Sequence, residues 1–470
     1  MNIFNKLMLV TIFMGSFISY ANDIQVKHVS FNKDTHIVSF DLSWQNSWRN
    51  QKNYDAAWVF VKFVDPDGNY THGKLGQGIL TINGINGSKA NYAVPSDKIG
   101  IFIEPAGSFR GNVNWHVQLT LDSSTVEGLP ENATIRVFAI EMVYIPDGSF
   151  YIGATEQEAV DYASFYESDA SGNPAGPYLI SSEDHVIKVS PTAGDLFYKT
   201  GNSPYRGDHT GTVPASFPKG YQAFYIMKYE MTQGLYAEFL NAISPQLAAA
   251  LTPQTSEGYY EKKGGIRFSD GKYTADTYDR PANFITWDDG ATFADWAGLR
   301  PMTELEYTKA ARGTVTPFVH EFPWGTDDTG RLKRKVTLDD ELVFVDGISE
   351  TDLNEQNRPV YGASYYWVMD LAGSLWEKCV TVGDEIGRNY LGTHGDGVLS
   401  GEGTATNADW PKGISEEGGY GYRGGGYYYH GMKISDFNPH SPTSYRPYGS
   451  WAGGKRSIAY SQRYVRTATK

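Results

Sequence analysis

A single cysteine, Cys379, stands in a chain of 470 residues. No internal disulfide can close, so the fold has to be held by packing and by whatever ions it binds. A lone thiol of this kind reads first as a buried apolar residue and only second as a reactive one. At this length one core does not suffice, and two or more domains are expected. The 33 tyrosines and 11 tryptophans fit β-rich cores and sugar-facing surfaces equally well.

The first 21 residues read as a secretory signal, with Lys6 as the positive start, "LMLVTIFMGSFI" as the apolar stretch and Ala21 as the small residue before cleavage. The apolar stretch is too short for a comfortable membrane span, and no later segment approaches one. The expected mature protein starts near Asn22 and is secreted, periplasmic or on the cell surface of a bacterium. Losing Lys6 moves the formal net charge from -14 to -15. That acidity argues against nucleic acid as a partner, because phosphates require a basic face.

Residues 22–140 read as a β-sandwich of immunoglobulin-like size. "HIVSFDLSW" (36–44), "AAWVFVKFV" (56–64) and "ATIRVFAIEMVYI" (133–145) are β-branched and aromatic, separated by turn signals such as "DPDGN". The three tryptophans of "SWQNSWRNQKNYDAAW" are expected to pack from a connection onto a sheet edge. Residues 145–220 read as long loops. Short helices are expected after Thr232, after Thr286 with acidic residues in its first turn, and after Thr303 with the box Thr303/Glu306. Beyond residue 380 glycine, tyrosine and serine dominate, and little regular structure can be assigned.

The motifs "MVYIPDGSFYIGAT", "FYIMKYEMTQGLYAEFL", "RPANFITWDDGATFADWAGLRPMTELEYTKAARG", "FPWG", "VMDLAGSLWEKC", "YRGGGYY" and "SQRYVRTA" follow one another from about residue 142 to 468. In that order they resemble the formylglycine-generating enzyme family, the sulfatase-modifying-factor domain. The resemblance implies an α+β, C-type-lectin-like fold for residues 141–470. It also implies copper held by two cysteines just after the segment that here reads Arg423 to Tyr427. Those positions fall near Tyr429 and Ile434, so formylglycine chemistry is not expected, and neither copper nor iron is.

The resemblance further implies a structural calcium loop in "DLAGSLWE", with Asp370, Glu377 and the carbonyls of Gly373 and Leu375 as ligands, a set of hard oxygens that suits this ion. The competing reading pairs Glu377 with Lys378 or Arg388 at a surface. The family's second calcium site would begin at Thr326, which is no obvious ligand. Trp287, Trp296, Trp324 and Trp376 read as core rings, and Arg312, Arg423 and Arg463 as loop braces.

The functional expectation is a non-catalytic binding or scaffold module for a peptide, a glycan or an envelope protein, with Tyr427, Tyr428, Tyr429 and His430 of "GYGYRGGGYYYHGMK" as an aromatic platform. The alternative is an oxidoreductase with a changed metal set drawn from His394, His430 and His440, helped by tyrosine, Asp396 or Asp436. A third reading, a hydrolase using Asp384, Glu385, Asp396 or Asp436, has no spacing to mark a catalytic pair. The oligomeric state is open.

Overall fold

The structure, a computed structural model, describes residues 24–199, 207–336, 342–344, 350–413, 418–426, 428–429, 433–434, 441–453 and 455–469. It opens with nine strands: β1 (Gln25–Asn32), β2 (Ile37–Arg49), β3 (Asp55–Val64), β4 (Tyr70–Gly73), β5 (Leu75–Gly84), β6 (Ala90–Ala93), β7 (Ile101–Pro105), β8 (Phe109–Leu121) and β9 (Thr134–Ile145), with a one-turn helix α1 (Ser123–Val126) before the last. In β2, Val38, Phe40, Leu42 and Trp44 point inward between half-buried Ser39, Asp41 and Ser43. This period of two buries one face of the sheet β1-β2-β8-β5. That face packs on Ala57, Val59, Val61 and Phe63 of β3.

Strand β3 has no outward face at all. All ten of its residues are buried, because Ala56, Trp58 and Phe60 enter a second core on the opposite side. A strand covered on both faces reads as a continuous apolar run, which is how "AAWVFVKFV" looks in the sequence. Trp44 and Trp58 lie in strands β2 and β3, as the runs 36–44 and 56–64 implied, and Trp48, expected in a connection, continues β2; all three are core residues. They are held there by polar tips: Trp44 donates from Nε1 to Asp55 at 2.9 Å, and Trp58 donates from Nε1 to the Ala297 carbonyl at 2.8 Å.

The region expected as long loops carries β10 (Phe150–Ile152), β11 (Tyr166–Glu167), β12 (Tyr178–Ile180), β13 (Ile187–Val189), β14 (Leu196–Phe197) and β15 (Gly211–Val213), then β16 (Phe224–Met227). Strands of two or three residues leave too little alternation to be read from sequence. Helix α2 (Gln233–Leu240) is capped by Thr232 and is followed by α3 (Pro245–Leu251) and the hairpin β17 (Ile266–Ser269) and β18 (Lys272–Ala275). Helices α4 (Trp287–Trp296) and α5 (Glu304–Arg312), on either side of β19 (Arg300–Pro301), both start with full capping boxes, Thr286/Asp289 and Thr303/Glu306. Later come β20 (Arg334–Val336), β21 (Leu342–Phe344), the short helix α6 (Arg358–Tyr361), β22 (Trp376–Val380), the short helix α7 (Glu385–Arg388), β23 (Tyr420–Arg423), β24 (Tyr428–Tyr429), β25 (Lys433–Ile434), β26 (Tyr460–Ser461) and β27 (Tyr464–Thr467). The fold is thus α+β, mostly short strands with few helices. Among the described residues no helix is long and apolar enough to cross a membrane.

One eight-stranded sheet joins the two halves of the chain in the order β19-β27-β16-β9-β3-β7-β6, with β4 on β3. The boundary expected after residue 140 falls inside β9, which pairs with β3 over its full length up to Val143 and with β16 over Met142–Ile145. Where the strands meet, charges are buried. Lys228 donates to Glu141 Oε1 at 2.8 Å, and Asp55 accepts from Ser47 Oγ and from the Trp48 N–H at 2.7 and 3.1 Å. Burial pushes the Asp55 carboxyl up to about 6, against the pull of Lys228 and its three donors.

Removing one partner from such a buried pair leaves an uncompensated charge. Lys228→Met should therefore cost about 3–5 kcal/mol in chemical denaturation. A loss under about 1 kcal/mol would show that this charge network is not what fixes the junction.

Candidate functional site

Strand β22 is the floor of the site. All five of its residues are buried, with β23 antiparallel on one side and β26 parallel on the other. The loop entering it, residues 370–375, bends sharply: Asp370, Gly373 and Ser374 all have positive φ, at 63°, 93° and 59°. Against this loop lies the glycine run that follows β23. Gly424 and Gly425 have φ of 93° and 70°, and a Cβ on Gly424 would sit 3.0 Å from the Leu371 carbonyl. One on Gly426 would come 3.1 Å from the Ser374 carbonyl. What the glycines approach closely is the expected calcium loop, and the Gly373 N–H donates to the Gly424 carbonyl at 3.0 Å across the contact.

Glu377 is not at a surface and pairs with neither Lys378 nor Arg388. Fully buried, it takes Arg463 bidentately, from Nε at 2.5 Å and from Nη2 at 2.8 Å. Glu230, just after β16, is a residue that sequence reasoning missed. It is 1% exposed; Oε1 accepts the Leu375 N–H at 3.2 Å, and Oε2 has no hydrogen-bond partner among the described residues. Burial and the charge of Glu377 push the Glu230 carboxyl well above its ordinary range, against Arg463; burial also raises Glu377.

Asp370 adds a third negative charge to the field of both glutamates, so one guanidinium faces three carboxylates. Among the described residues no three His, Cys, Asp or Glu side chains gather closely enough to hold a metal by themselves. A hard cation would therefore need the main-chain carbonyls of the loop as well. The unpartnered Glu230 oxygen and the excess of negative charge fit such an ion, and a carboxylate bound to arginine keeps lone pairs to offer. The signal in the sequence was the "KYEM" stretch, which sits far from the loop in the chain.

The arginine leading into the glycines is locked from below. Glu304 accepts from Arg446 Nε at 2.6 Å, from Arg423 Nη1 at 3.3 Å and from Thr381 Oγ1 at 2.8 Å. Burial pushes Glu304 up, but Arg446 and then Arg423 outweigh it and hold the carboxylate below its ordinary value. Arg312 braces Glu321 and the Tyr151 carbonyl, as its reading as a brace implies. Beside Gly426 a group of rings stands up: Trp376 meets Tyr448 edge-on at 5.2 Å, Tyr448 and Trp451 lie 5.8 Å apart, and Trp451 reaches Tyr422 at 5.3 Å. Tyr445, Tyr448 and Trp451 are half-buried, and their spacing of three in "SYRPYGSW" was the unread signal.

Of the expected platform, Tyr428 and Tyr429 form β24, paired with Ile434 and Lys433. Tyr427 and His430 lie outside the described residues, as do Asp436 and His440. His394 is no solvent-facing loop residue: its Nε2 accepts the Thr467 N–H at 3.0 Å, and burial holds its pKa well below the usual value. Asp396, two residues on, is exposed. Asp384 accepts the Gly387 and Gly419 N–H groups at 2.9 Å each and clamps a turn. Trp287, Trp296, Trp324 and Trp376 are all core rings.

The family model described as the sulfatase-modifying factor enzyme 1-like domain matches residues 128–451. The chain belongs to this family. A formylglycine-generating enzyme of Thermomonospora curvata is 24% identical over 240 residues, which is 51% of this chain and 70% of that protein. One of Streptomyces coelicolor is 27% identical over 103 residues, 22% of this chain and 32% of that protein. A group B streptococcus pilus 2b backbone protein is 15% identical, covers 44% of this chain and 83% of its own, and at a TM-score of 0.11 carries no argument. The match begins at residue 128, before β9, which agrees with the sheet running through the expected boundary.

Within this family fold, Cys379 is 1% exposed in β22, and its thiol lies 3.7 Å from the Glu377 carbonyl. Burial, followed by the charge of Glu377, pushes the thiol well above its ordinary pKa, which leaves it protonated and inert. Next to it Lys378 is buried and donates to the Ile285 carbonyl at 2.5 Å. Burial lowers its pKa to about 7, against the pull of Asp289. Between about 7 and the unfolded value near 10.5 the unfolded chain binds more protons, so this residue makes stability rise with pH across that window, with its full penalty below it. Lys378→Met should flatten that part of the pH–stability curve and stabilise the protein at pH 7 by a few kcal/mol, roughly 1.4 per pKa unit. An unchanged slope in urea titrations at pH 7, 8.5 and 10 would contradict it.

Proposed function

We propose that this chain is an exported family member that binds a partner instead of oxidising a thiol. The observation that carries the reading is the state of its cysteine: the one thiol is sealed inside β22, and the resemblance puts the copper-holding pair near Tyr429 and Ile434, neither of which is a cysteine. Copper(I) is held by soft thiolates, and a tyrosine hydroxyl or an isoleucine does not replace them. The binding residues would be Tyr427, Tyr428, Tyr429 and His430, together with the half-buried rings Tyr445, Tyr448 and Trp451. Flat rings with polar tips suit an extended peptide or a glycan, such as an envelope protein would present. The fold would be a C-type-lectin-like variant continuing from a β-sandwich, and the loop from Asp370 to Glu377 would hold calcium as a structural ion, with Glu230 beside it.

Two measurements test this. Purified protein loaded with copper(I) and given a cysteine-containing sulfatase peptide should yield no aldehyde product by mass spectrometry. Turnover, or one copper per chain abolished by His430→Ala, would overturn the binding reading. Separately, chelation should lower the thermal midpoint by several degrees, since an ion at 100 times its Kd contributes about 2.7 kcal/mol. Asp370→Ala should lose that sensitivity, and a midpoint indifferent to chelator in the unmodified protein would remove calcium from the account.

A further inference from the structure

A cavity of about 460 Å³ lies away from the glycine run, between β1, β9 and the outer face of α2. Its walls are Ile24 to Lys27, Val137 to Ala139, Glu238, Tyr278 and Asp279. Strand β9 explains why it is there. On one side β9 pairs with β3 from Thr134 to Val143, but on the other β16 covers only Met142 to Ile145. From Thr134 to Ile140 that second edge has no strand partner among the described residues. The Lys228 N–H donates to the Glu141 carbonyl at 3.0 Å, so Glu141 turns its main-chain groups to this side. Residues two apart in a strand point alike, so the N–H and C=O of Ala139 and Val137 face the groove.

The two long walls differ in chemistry. Above, Ile24, just before β1, and Val26 of β1 join the apolar core that Val137 and Ala139 also touch. Below, exposed Glu238 stands on α2, with its Oε1 receiving the Tyr278 hydroxyl at 2.8 Å, and Asp279 follows at the rim. Lys27 lies on the opposite wall, and Arg136 donates from Nη1 to the Asn241 carbonyl at 2.9 Å.

We propose that this groove takes an extended peptide by strand addition, in line with β16 along the uncovered edge of β9. Main-chain hydrogen bonds to Val137 and Ala139 give the affinity, and alternate side chains give the selectivity. Residues facing β1 must be apolar, and the one between them, facing α2, must carry a cation to meet Glu238 and Asp279. The partner is thus a polypeptide segment with lysine or arginine flanked by β-branched residues. An open strand edge of this length is otherwise an aggregation hazard, which partner binding relieves.

The test uses the full mature chain and one probe, a capped pentapeptide of threonine, valine, lysine, valine and threonine. Hydrogen exchange read by mass spectrometry over residues 134–141 should slow on adding the probe, and fluorescence anisotropy should give a saturable Kd. Glu238→Gln should weaken binding about tenfold, the loss of one ion pair of about 1.4 kcal/mol. A probe with glutamate for lysine should bind no better than that variant. No binding at millimolar probe, exchange unchanged over 134–141, or protection already present without probe (the chain's own residues filling the groove) would each overturn the proposal. So would an affinity that Glu238→Gln leaves unaltered.

Discussion

Strand β9 holds this protein together. It pairs with β3 on one side and β16 on the other, and its side chains enter three separate cores: Val137 and Ala139 the first, Phe138 and Ile140 the second, Val143 and Ile145 the third. Because it is shared, the early strands are built into the family fold and do not hang beside it. Trp58 reaching Ala297, Asn53 reaching Tyr366 and Lys62 reaching Gly397 fasten the same junction through polar tips. Such buried hydrogen bonds contribute modestly when made and cost much when broken, so they fix geometry more than they add stability.

The charge arrangement at the site follows from the same economy of space. Glycines 424 to 426 let two loops touch backbone to backbone, and that closeness brings Asp370, Glu230 and Glu377 into one electrostatic field with Arg463. Below it Glu304 gathers Arg423 and Arg446, so the floor is a lattice of alternating charge in which each member needs the next. The lone thiol is walled into that lattice, which is why its chemistry is silent.

Much of this was legible in the chain. Helix starts announced themselves through Thr232, Thr286 and Thr303, because a cap is a local contract between residues three apart. The core tryptophans were legible as rings, but the strand position of Trp48 was not, since polar Gln45, Asn46 and Ser47 broke the alternation at a bulge. The Arg463 partner of Glu377 lay 86 positions away and Glu230 lay 145 from Leu375. Separation on that scale leaves no periodic trace, so the family motif order pointed to the right loop while the charge that completes it stayed hidden. The short strands between residues 150 and 213 were invisible for another reason, having two or three residues each.

Strand β27 lies between β16 and the edge strand β19 of the large sheet, and it is drawn from residues 464–467. Its neighbour on the far side, β19, has no other place in the sheet. The flank of β16 is therefore covered by a strand far along the chain, and closing that side of the sheet is a slow, long-range event. A β16 flank that waits for so distant a partner is an exposed strand edge, and the speed of this one pairing sets how long it stays exposed.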